Sequence, residues 1–208
     1  MTDEGFPYRY LAIEGPIAAG KTTLASLLAD RFGIASILEE LDNPFLPAFY
    51  REPETYGLPT QLYFLVARHR AQLELARLLH SGRSVVTDFS FWRDLVFALV
   101  NLVEAEMRVY ERMWGVLSKD AVMPDLVVWL DAPEGFLFDR IRRRGREFER
   151  PISKDYLKRL RAEYARFFGS WGGCDILKVP SDRYDFEHDA SCAERVVRAI
   201  LEREASLL

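Results

Sequence analysis

The most restrictive feature of the sequence is a glycine-bounded segment of eight residues near the N-terminus. Residues 15–22 are GPIAAGKT, which fits the pattern G-x-x-x-x-G-K-T. Tyr8–Glu14 precedes the segment as a short apolar run typical of a buried strand, and Lys21–Phe32 follows with apolar residues at helical spacing. Glycines let the backbone N–H groups surround a phosphate at a helix N-terminus. The strand, loop and helix together predict a phosphate-binding loop.

This loop predicts a site for a nucleoside triphosphate with Mg²⁺. Lys21 is placed to bridge the β- and γ-phosphates, and the hydroxyl of Thr22 is placed to ligate the metal ion. The loop gives no information about the molecule that accepts a phosphate. The loop residues expected to contact ATP are Gly15, Pro16, Ile17, Ala18, Ala19, Gly20, Lys21, Thr22 and Thr23.

The rest of the chain alternates between short apolar runs and helical patterns. Such alternation predicts an α/β fold in which helices cover both faces of a five-stranded parallel sheet. No linker or repeat interrupts residues 1–208, so we expect one domain. After Tyr8–Glu14, strands are predicted at Ala35–Leu38, Ser84–Thr87, Leu126–Leu130 and Ile176–Val179. After Lys21–Phe32, helices are predicted at Pro53–Leu79, Phe91–Trp114, Glu134–Arg144, Lys154–Phe168 and Ser191–Glu204.

Several carboxylates follow the predicted strands directly, at the sheet edge where ligands of such folds bind. Glu39 and Glu40 follow the second strand, Asp88 the third and Asp131 the fourth. A carboxylate at this edge can accept the proton of a hydroxyl group that is being phosphorylated. The same residues could instead be solvated strand ends, and Asp131 could be structural.

Three further blocks resemble the deoxyribonucleoside kinase family, most closely its bacterial deoxyadenosine/deoxyguanosine kinases. Residues 49–72 resemble FY-x-x-P-x-x-Y…Q…FL…R, residues 88–98 resemble D-R-S-x-x-x-D-x-x-F-A, and residues 140–149 resemble R-I-x-x-R-G-R-x-x-E. The resemblance implies a P-loop kinase fold with an arginine-rich lid at about residues 140–150. It also implies transfer of the γ-phosphate of ATP to the 5′-hydroxyl of a deoxyribonucleoside, preferably a purine, in nucleotide salvage.

The resemblance implies roles for individual side chains. Glu39 would be the general base, with Glu40 as the alternative because the family's E-P is E-E here. Thr22 and Asp88 would hold Mg²⁺, and Arg140 and Arg144 would join the loop in binding ATP. The residues implied to take part in catalysis are Glu39, Glu40, Lys21, Arg144 and Arg146. The residues implied to bind the nucleoside are Glu39, Tyr50, Gln61, Arg68, Asp94 and Glu149.

One position departs from the family pattern. The arginine of the D-R-S block is Phe89 in this chain, and a phenyl ring carries no charge and donates no hydrogen bond. Arg93, four residues later, or an arginine of the lid could supply the missing cation. The departure also keeps open a non-catalytic or regulatory nucleotide-binding subunit, and a kinase for another small acceptor such as a nucleoside monophosphate is a further alternative.

Composition narrows the partners and the location. The formal net charge of −4 argues against binding of a nucleic acid polymer. The N-terminus lacks the positive charge of a signal peptide, and no apolar run approaches the roughly 20 residues that span a bilayer. Cys174 and Cys192 show no metal-ligand spacing, so we expect a cytoplasmic protein. The family likeness suggests a homodimer, or a heterodimer with a related subunit, and the apolar stretch Leu95–Val103 is compatible with either.

Overall fold

The computed structural model describes residues 5–40, 42–186 and 188–203. Five strands form one sheet in the order β2-β3-β1-β4-β5, and every neighbouring pair runs parallel. This arrangement confirms the predicted five-stranded parallel sheet. The strands are β1 (Tyr10–Glu14), β2 (Ala35–Ile37), β3 (Val85–Thr87), β4 (Leu126–Asp131) and β5 (Asp175–Pro180).

Helices connect the strands, and their bounds lie close to those predicted. One predicted residue, Glu204, lies outside the described part of the chain. A short helix at Leu46–Phe49 and two 3₁₀ turns, Ser118–Asp120 and Glu147–Glu149, were not predicted. The helices are α1 (Lys21–Phe32), α2 (Leu46–Phe49), α3 (Pro53–His80), α4 (Arg93–Asn101), α5 (Glu104–Leu117), α6 (Glu134–Arg144), α7 (Lys154–Gly169) and α8 (Ala190–Glu202). Within the described residues, no helix combines the length and apolar character that a membrane span requires.

The prediction of one helix over Phe91–Trp114 is wrong, because two helices occupy this stretch. Leu102 and Val103 adopt extended backbone conformations with ψ of 141° and 161°. The N–H group of Val103 then donates to the Glu106 carboxylate at 3.4 Å, which caps the start of α5. The break lets α4 pack against both α7 and α3, while α5 packs against α3. No glycine or proline marks this position, so the helical pattern gave no stop signal.

Strands β1 and β4 lie inside the sheet, and their side chains are buried along their whole length. The parallel direction places the C-terminal ends of β1 and β3 side by side, and the chain after β2 reaches the same edge. This edge therefore brings together Glu14, Glu39 and Asp88, which are far apart in sequence. The phosphate-loop segment starts directly after β1 at the same edge.

The first residue of that loop passes very close to the neighbouring strand. Gly15 has a φ of +142°, and a Cβ atom built on it would lie 2.3 Å from the carbonyl oxygen of Leu130 in β4. Both the backbone conformation and the contact require glycine. Because β4 is buried and paired on both sides, it cannot move away.

We expect Gly15→Ala to destabilise the protein by more than about 1–3 kcal/mol, because the clash with Leu130 adds to the cost of a strained φ. Thermal or urea unfolding measures the loss. Gly115→Ala is the matched control, since Gly115 lies in α5, where an added Cβ would meet no heavy atom within 4 Å, and should gain up to about 1 kcal/mol. Equal stability of the two variants would contradict the close approach.

Candidate active site

The loop between β1 and α1 has the geometry of a phosphate-binding turn. Gly20, with a φ of 100°, immediately precedes α1, and Ala18 adopts a left-handed conformation with a φ of 65°. The ammonium group of Lys21 donates to the carbonyl oxygen of Pro16 at 2.8 Å and so folds back over the loop. The N-terminus of α1, which carries partial positive charge, faces the same space.

Lys21 is buried, with 8% of its surface exposed. Burial and the nearby Arg93 guanidinium lower the pKa of Lys21 to about 7, although the carboxylates of Glu39, Asp88 and Glu14 act in the opposite direction. An anionic phosphate beside the ammonium would favour its charged form. The loop is therefore a cationic site, and a phosphate bound in it would stabilise the charge of Lys21.

Asp88 connects the loop to the end of β2. Its Oδ2 atom accepts from the Thr22 hydroxyl at 2.5 Å, and its Oδ1 atom accepts from the backbone N–H of Glu39 at 2.7 Å. A hydroxyl and a carboxylate side by side are oxygen donors of the type that Mg²⁺ prefers. Among the described residues no cluster of three His, Cys, Asp or Glu side chains could hold a metal by itself. The pair instead suits an ion that takes its remaining ligands from phosphates and water.

The Glu39 carboxylate lies between two arginines. Arg68 donates from Nη2 to Oε1 at 3.0 Å, and Arg93 places Nη1 2.9 Å from Oε2. Burial alone would raise the pKa of Glu39, but the guanidinium groups of Arg93 and Arg68 outweigh it and hold that pKa below its ordinary value. Glu39 is therefore an ionised carboxylate in a nearly enclosed site, with 14% of its side chain exposed.

Glu40 does not lie with these groups. Glu40 is exposed, whereas only 14% of the Glu39 side chain is exposed. The structure places only Glu39 of the two beside the phosphate loop.

Arg68 also holds a second carboxylate deeper in the cavity. Its Nε atom donates to Oδ1 of Asp94 at 2.8 Å. The Oδ2 atom of Asp94 is buried and has no hydrogen-bond partner among the described residues. Burial raises the pKa of Asp94 more than Arg68 lowers it. Gln61, on the same face of α3 as Arg68, lines the same cavity. This part of the cavity therefore presents the Oδ2 acceptor of Asp94 and the amide group of Gln61.

Aromatic and acidic residues close the cavity on the lid side. The ring of Tyr50 stacks on Phe148 with 6.5 Å between centroids and meets Tyr156 edge-on at 6.3 Å. Glu149 is buried and accepts from Arg144 through both oxygens, at 2.6 and 3.2 Å, while Arg146 lies 3.6 Å away. Gly145, in the left-handed conformation, ends α6 between the two arginines.

Two cavities meet at the phosphate loop, and together they contain most of the predicted site residues. Five residues line both: Ala18, Lys21, Thr22, Arg144 and Arg146. The cavity beside Glu39, the residue predicted to accept the hydroxyl proton, is called the acceptor-side cavity. It adds Ile17, Glu39, Tyr50, Gln61, Arg68, Asp88, Asp94 and Glu149. The cavity beside Arg140, a residue predicted to bind ATP, is called the donor-side cavity. It adds Gly20, Thr23 and Arg140, with Phe136 and the loop after β5. The predicted residues that line neither cavity are Gly15, Pro16, Ala19 and Glu40.

A sequence profile of the deoxynucleoside kinase family matches residues 11–204. The chain belongs to that family. It is therefore an ATP-dependent phosphotransferase, as the resemblance implied, and the predicted P-loop kinase fold is confirmed. Similar proteins include deoxyguanosine kinase of Bacillus subtilis (strain 168), which is 32% identical over 200 residues, covering 93% of this chain and 96% of that protein. The deoxyadenosine/deoxycytidine kinase of the same organism is 30% identical over 199 residues, covering 91% and 90%.

Two further comparisons agree with this assignment. Deoxyadenosine kinase of Dictyostelium discoideum is 34% identical over 164 residues, covering 76% of this chain and 66% of that protein. A solved structure of deoxyadenosine kinase from M. mycoides with bound dATP superimposes with a TM-score of 0.79 at 22% identity, covering 92% of this chain and 98% of that one. At this identity the superposition shows a shared fold.

Several residues in or beside this kinase site were not predicted from the sequence, and three of them are polar side chains with a clear place in it. Glu14 is fully buried at the end of β1, where it accepts from the Ser90 N–H and, at 3.2 Å, from the hydroxyl of Tyr164. Asn101 and Tyr156 line the acceptor-side cavity. A glutamate closing an otherwise apolar buried strand was the available signal for Glu14, whereas Asn101 and Tyr156 reach the cavity only through the packing of α4 and α7.

We expect the lid segment, residues 142–149, to exchange its amide hydrogens more slowly when ATP and a deoxynucleoside are added together. Phosphates would hold the clustered arginines, which otherwise repel one another, and the segment has few apolar anchors. Hydrogen exchange followed by mass spectrometry measures the change, with α5, which lines neither cavity, as an internal control. Equal protection of the segment with and without the two ligands would contradict a lid.

Proposed function

We propose that this kinase transfers the γ-phosphate of ATP to the 5′-hydroxyl of a purine deoxyribonucleoside and that Glu39 is the general base. The observation that carries the proposal is the position of the Glu39 carboxylate. It is ionised, held by two buried arginines and set on the rim shared by the acceptor cavity and the phosphate loop. A carboxylate there can accept the hydroxyl proton as the phosphoryl group is transferred.

The donor side supplies cations for the transferring phosphate. Lys21 and the lid residues Arg140, Arg144 and Arg146 surround the space beside the loop. Phosphoryl transfer depends mainly on alignment of the attacking and leaving oxygens and on neutralisation of phosphate charge. Mg²⁺, when bound, would add charge neutralisation on the phosphate oxygens, and the Thr22–Asp88 pair supports its placement.

The acceptor side suits an uncharged nucleoside. The hydroxyl of Tyr50 and the carboxylate of Glu149 would hold the 3′-hydroxyl of deoxyribose, and Gln61, Arg68 and Asp94 would face the edge of the base. The free Oδ2 of Asp94 supports this role, because the edge of a base carries N–H groups from which Oδ2 could accept a hydrogen bond. The purine preference is supported by the names of the relatives that act on deoxyguanosine and deoxyadenosine.

A panel of deoxynucleosides with ATP and Mg²⁺ tests the proposed function. We expect the purified chain to form a nucleoside 5′-monophosphate, with higher kcat/KM for the purines, and Lys21→Ala should abolish transfer while the fold is retained. Chromatography of the products measures both. If the chain binds ATP but phosphorylates no deoxynucleoside, the result would favour the regulatory-subunit alternative. A preference for a pyrimidine would contradict the purine assignment.

Glu39→Gln should lower kcat by about 10²–10⁴-fold while the affinity for the nucleoside stays within about tenfold, because a general base acts mainly in the transition state. Glu40→Gln is the matched control, since it makes the same chemical change one residue away on an exposed side chain. Steady-state kinetics and nucleoside binding measure both effects. The opposite pattern in the two variants would make Glu40 the base.

We also propose that the kinase forms a homodimer through α3 and α5. These helices pack against each other. Val66 and Leu73 form an exposed apolar stripe along α3, and Val109, Met113 and Val116 form another along α5. Exposed apolar stripes on neighbouring helices are typical of an interface, and a second copy would present the same surface.

The cytoplasmic location stays a prediction of the sequence.

Met113→Lys combined with Val116→Lys should convert the dimer to a monomer, because it places two charges in an apolar interface. Analytical ultracentrifugation measures the mass. Glu111→Lys is the control, since Glu111 is exposed on another face of the same helix. A wild-type chain that sediments as a monomer, or a double variant that remains dimeric, would contradict this interface.

A further inference from the structure

The two oxygens of Glu39 are held by different arginines that are not equivalent. Arg68 is shared, because its guanidinium also donates to Asp94 at 2.8 Å. Within the described part of the chain, Arg93 forms its ion pair with Glu39 and with no second carboxylate. The orientation of Oε2 therefore depends on a single side chain.

Arg93 is placed for this contact by the start of α4. It is the first residue of the helix and is 6% exposed, and it lines the acceptor-side cavity. Its guanidinium lies over the ring of Phe97, 5.0 Å from the centroid, one helical turn further on. The aromatic ring supports one side of the guanidinium and so limits the positions that it can adopt.

The contact between Arg93 and Glu39 leaves donor capacity unused. Nη1 of Arg93 is buried 2.9 Å from Oε2, yet it makes no aligned hydrogen bond within the described residues. A charged donor without an aligned acceptor in a buried site is costly unless a ligand or water oxygen completes it.

Arg93 also interacts electrostatically with the buried side chain of Glu14. Burial raises the pKa of Glu14, and Arg93 is the nearby charge that opposes this rise most strongly. Phe89, which follows Asp88 directly, adds no cation; its buried ring lies 5.0 Å from the guanidinium of Arg68. The cation for Oε2 of Glu39 thus comes from the first residue of α4 and from no side chain at the end of β3.

We propose that Arg93 is a positioning residue of the kinase reaction, which holds Oε2 of Glu39 so that the carboxylate faces the acceptor hydroxyl. The inference rests on the proposed function, in which Glu39 is the general base. Arg68 alone holds only the other oxygen, so loss of Arg93 would leave the carboxylate free to rotate. Misorientation of a base slows the chemical step more than it weakens substrate binding.

A double-mutant cycle tests whether Arg93 acts through Glu39. Four proteins are compared: wild type, Arg93→Ala, Glu39→Gln and the double variant. Arg93→Ala should lower kcat by more than about tenfold with the nucleoside KM within about threefold, and Arg93→Lys should recover part of the loss. In the Glu39→Gln background the same change should lower kcat by less than about threefold, since no base remains to be positioned. Arg108→Ala is the control, because Arg108 is 60% exposed and paired with Glu104.

The outcomes separate this inference from the proposed function. An equal loss of kcat in both backgrounds, a loss confined to KM, or a normal kcat in Arg93→Ala would overturn the role of Arg93 while wild-type turnover upholds the kinase. A wild-type chain without turnover overturns both. Thermal unfolding and ATP binding check each variant; if Arg93→Ala does not fold, Arg93→Lys replaces it in the cycle and must show the same dependence on Glu39.

Discussion

Glu39 carries its charge in a nearly enclosed cavity because two guanidinium groups lie within 3.0 Å of its oxygens. A buried carboxylate without partners would cost several kcal/mol and would take up a proton instead. Each arginine has a second acidic neighbour, Asp94 for Arg68 and Glu14 for Arg93, although burial raises the pKa of both acids. The network joins α3, α4, the end of β1 and the segment after β2. The inner part of the site is therefore held by interacting ionisable groups from four parts of the fold.

Much of the fold could be predicted because it depends on local pattern. Apolar runs gave the five strands, and the phosphate-loop motif gave α1 with both of its ends correct. The division between α4 and α5 could not be predicted, since residues 99–103 are apolar apart from Asn101 and contain no helix-breaking residue. The two helices take different directions to pack against their neighbours, and such tertiary packing leaves no local signal.

Part of the site could be predicted from the sequence for the same reason. The rule that ligands bind after parallel strands selected Glu39 and Asp88, but it also flagged Asp131, which pairs with Arg161 and Lys178 and lines neither cavity. Glu39 lines the cavity and Glu40 does not, a difference in side-chain position that adjacent identical residues give no means to predict. Glu14 was not predicted because its partners, Ser90, Arg93 and Tyr164, are all distant in sequence.

Asp88 also limits how far the distance between the two halves of the site can vary. One oxygen of its carboxylate accepts from Thr22 and the other from the backbone of Glu39. A carboxylate is planar and its two oxygens have a fixed separation. The phosphate loop and the segment that carries Glu39 can therefore shift relative to each other only as far as two short hydrogen bonds can stretch. Displacements of about 1 Å can slow a positioned reaction about 10²-fold. The side chain of Asp88 thus acts as a spacer of fixed length between the phosphate loop and the segment that carries Glu39.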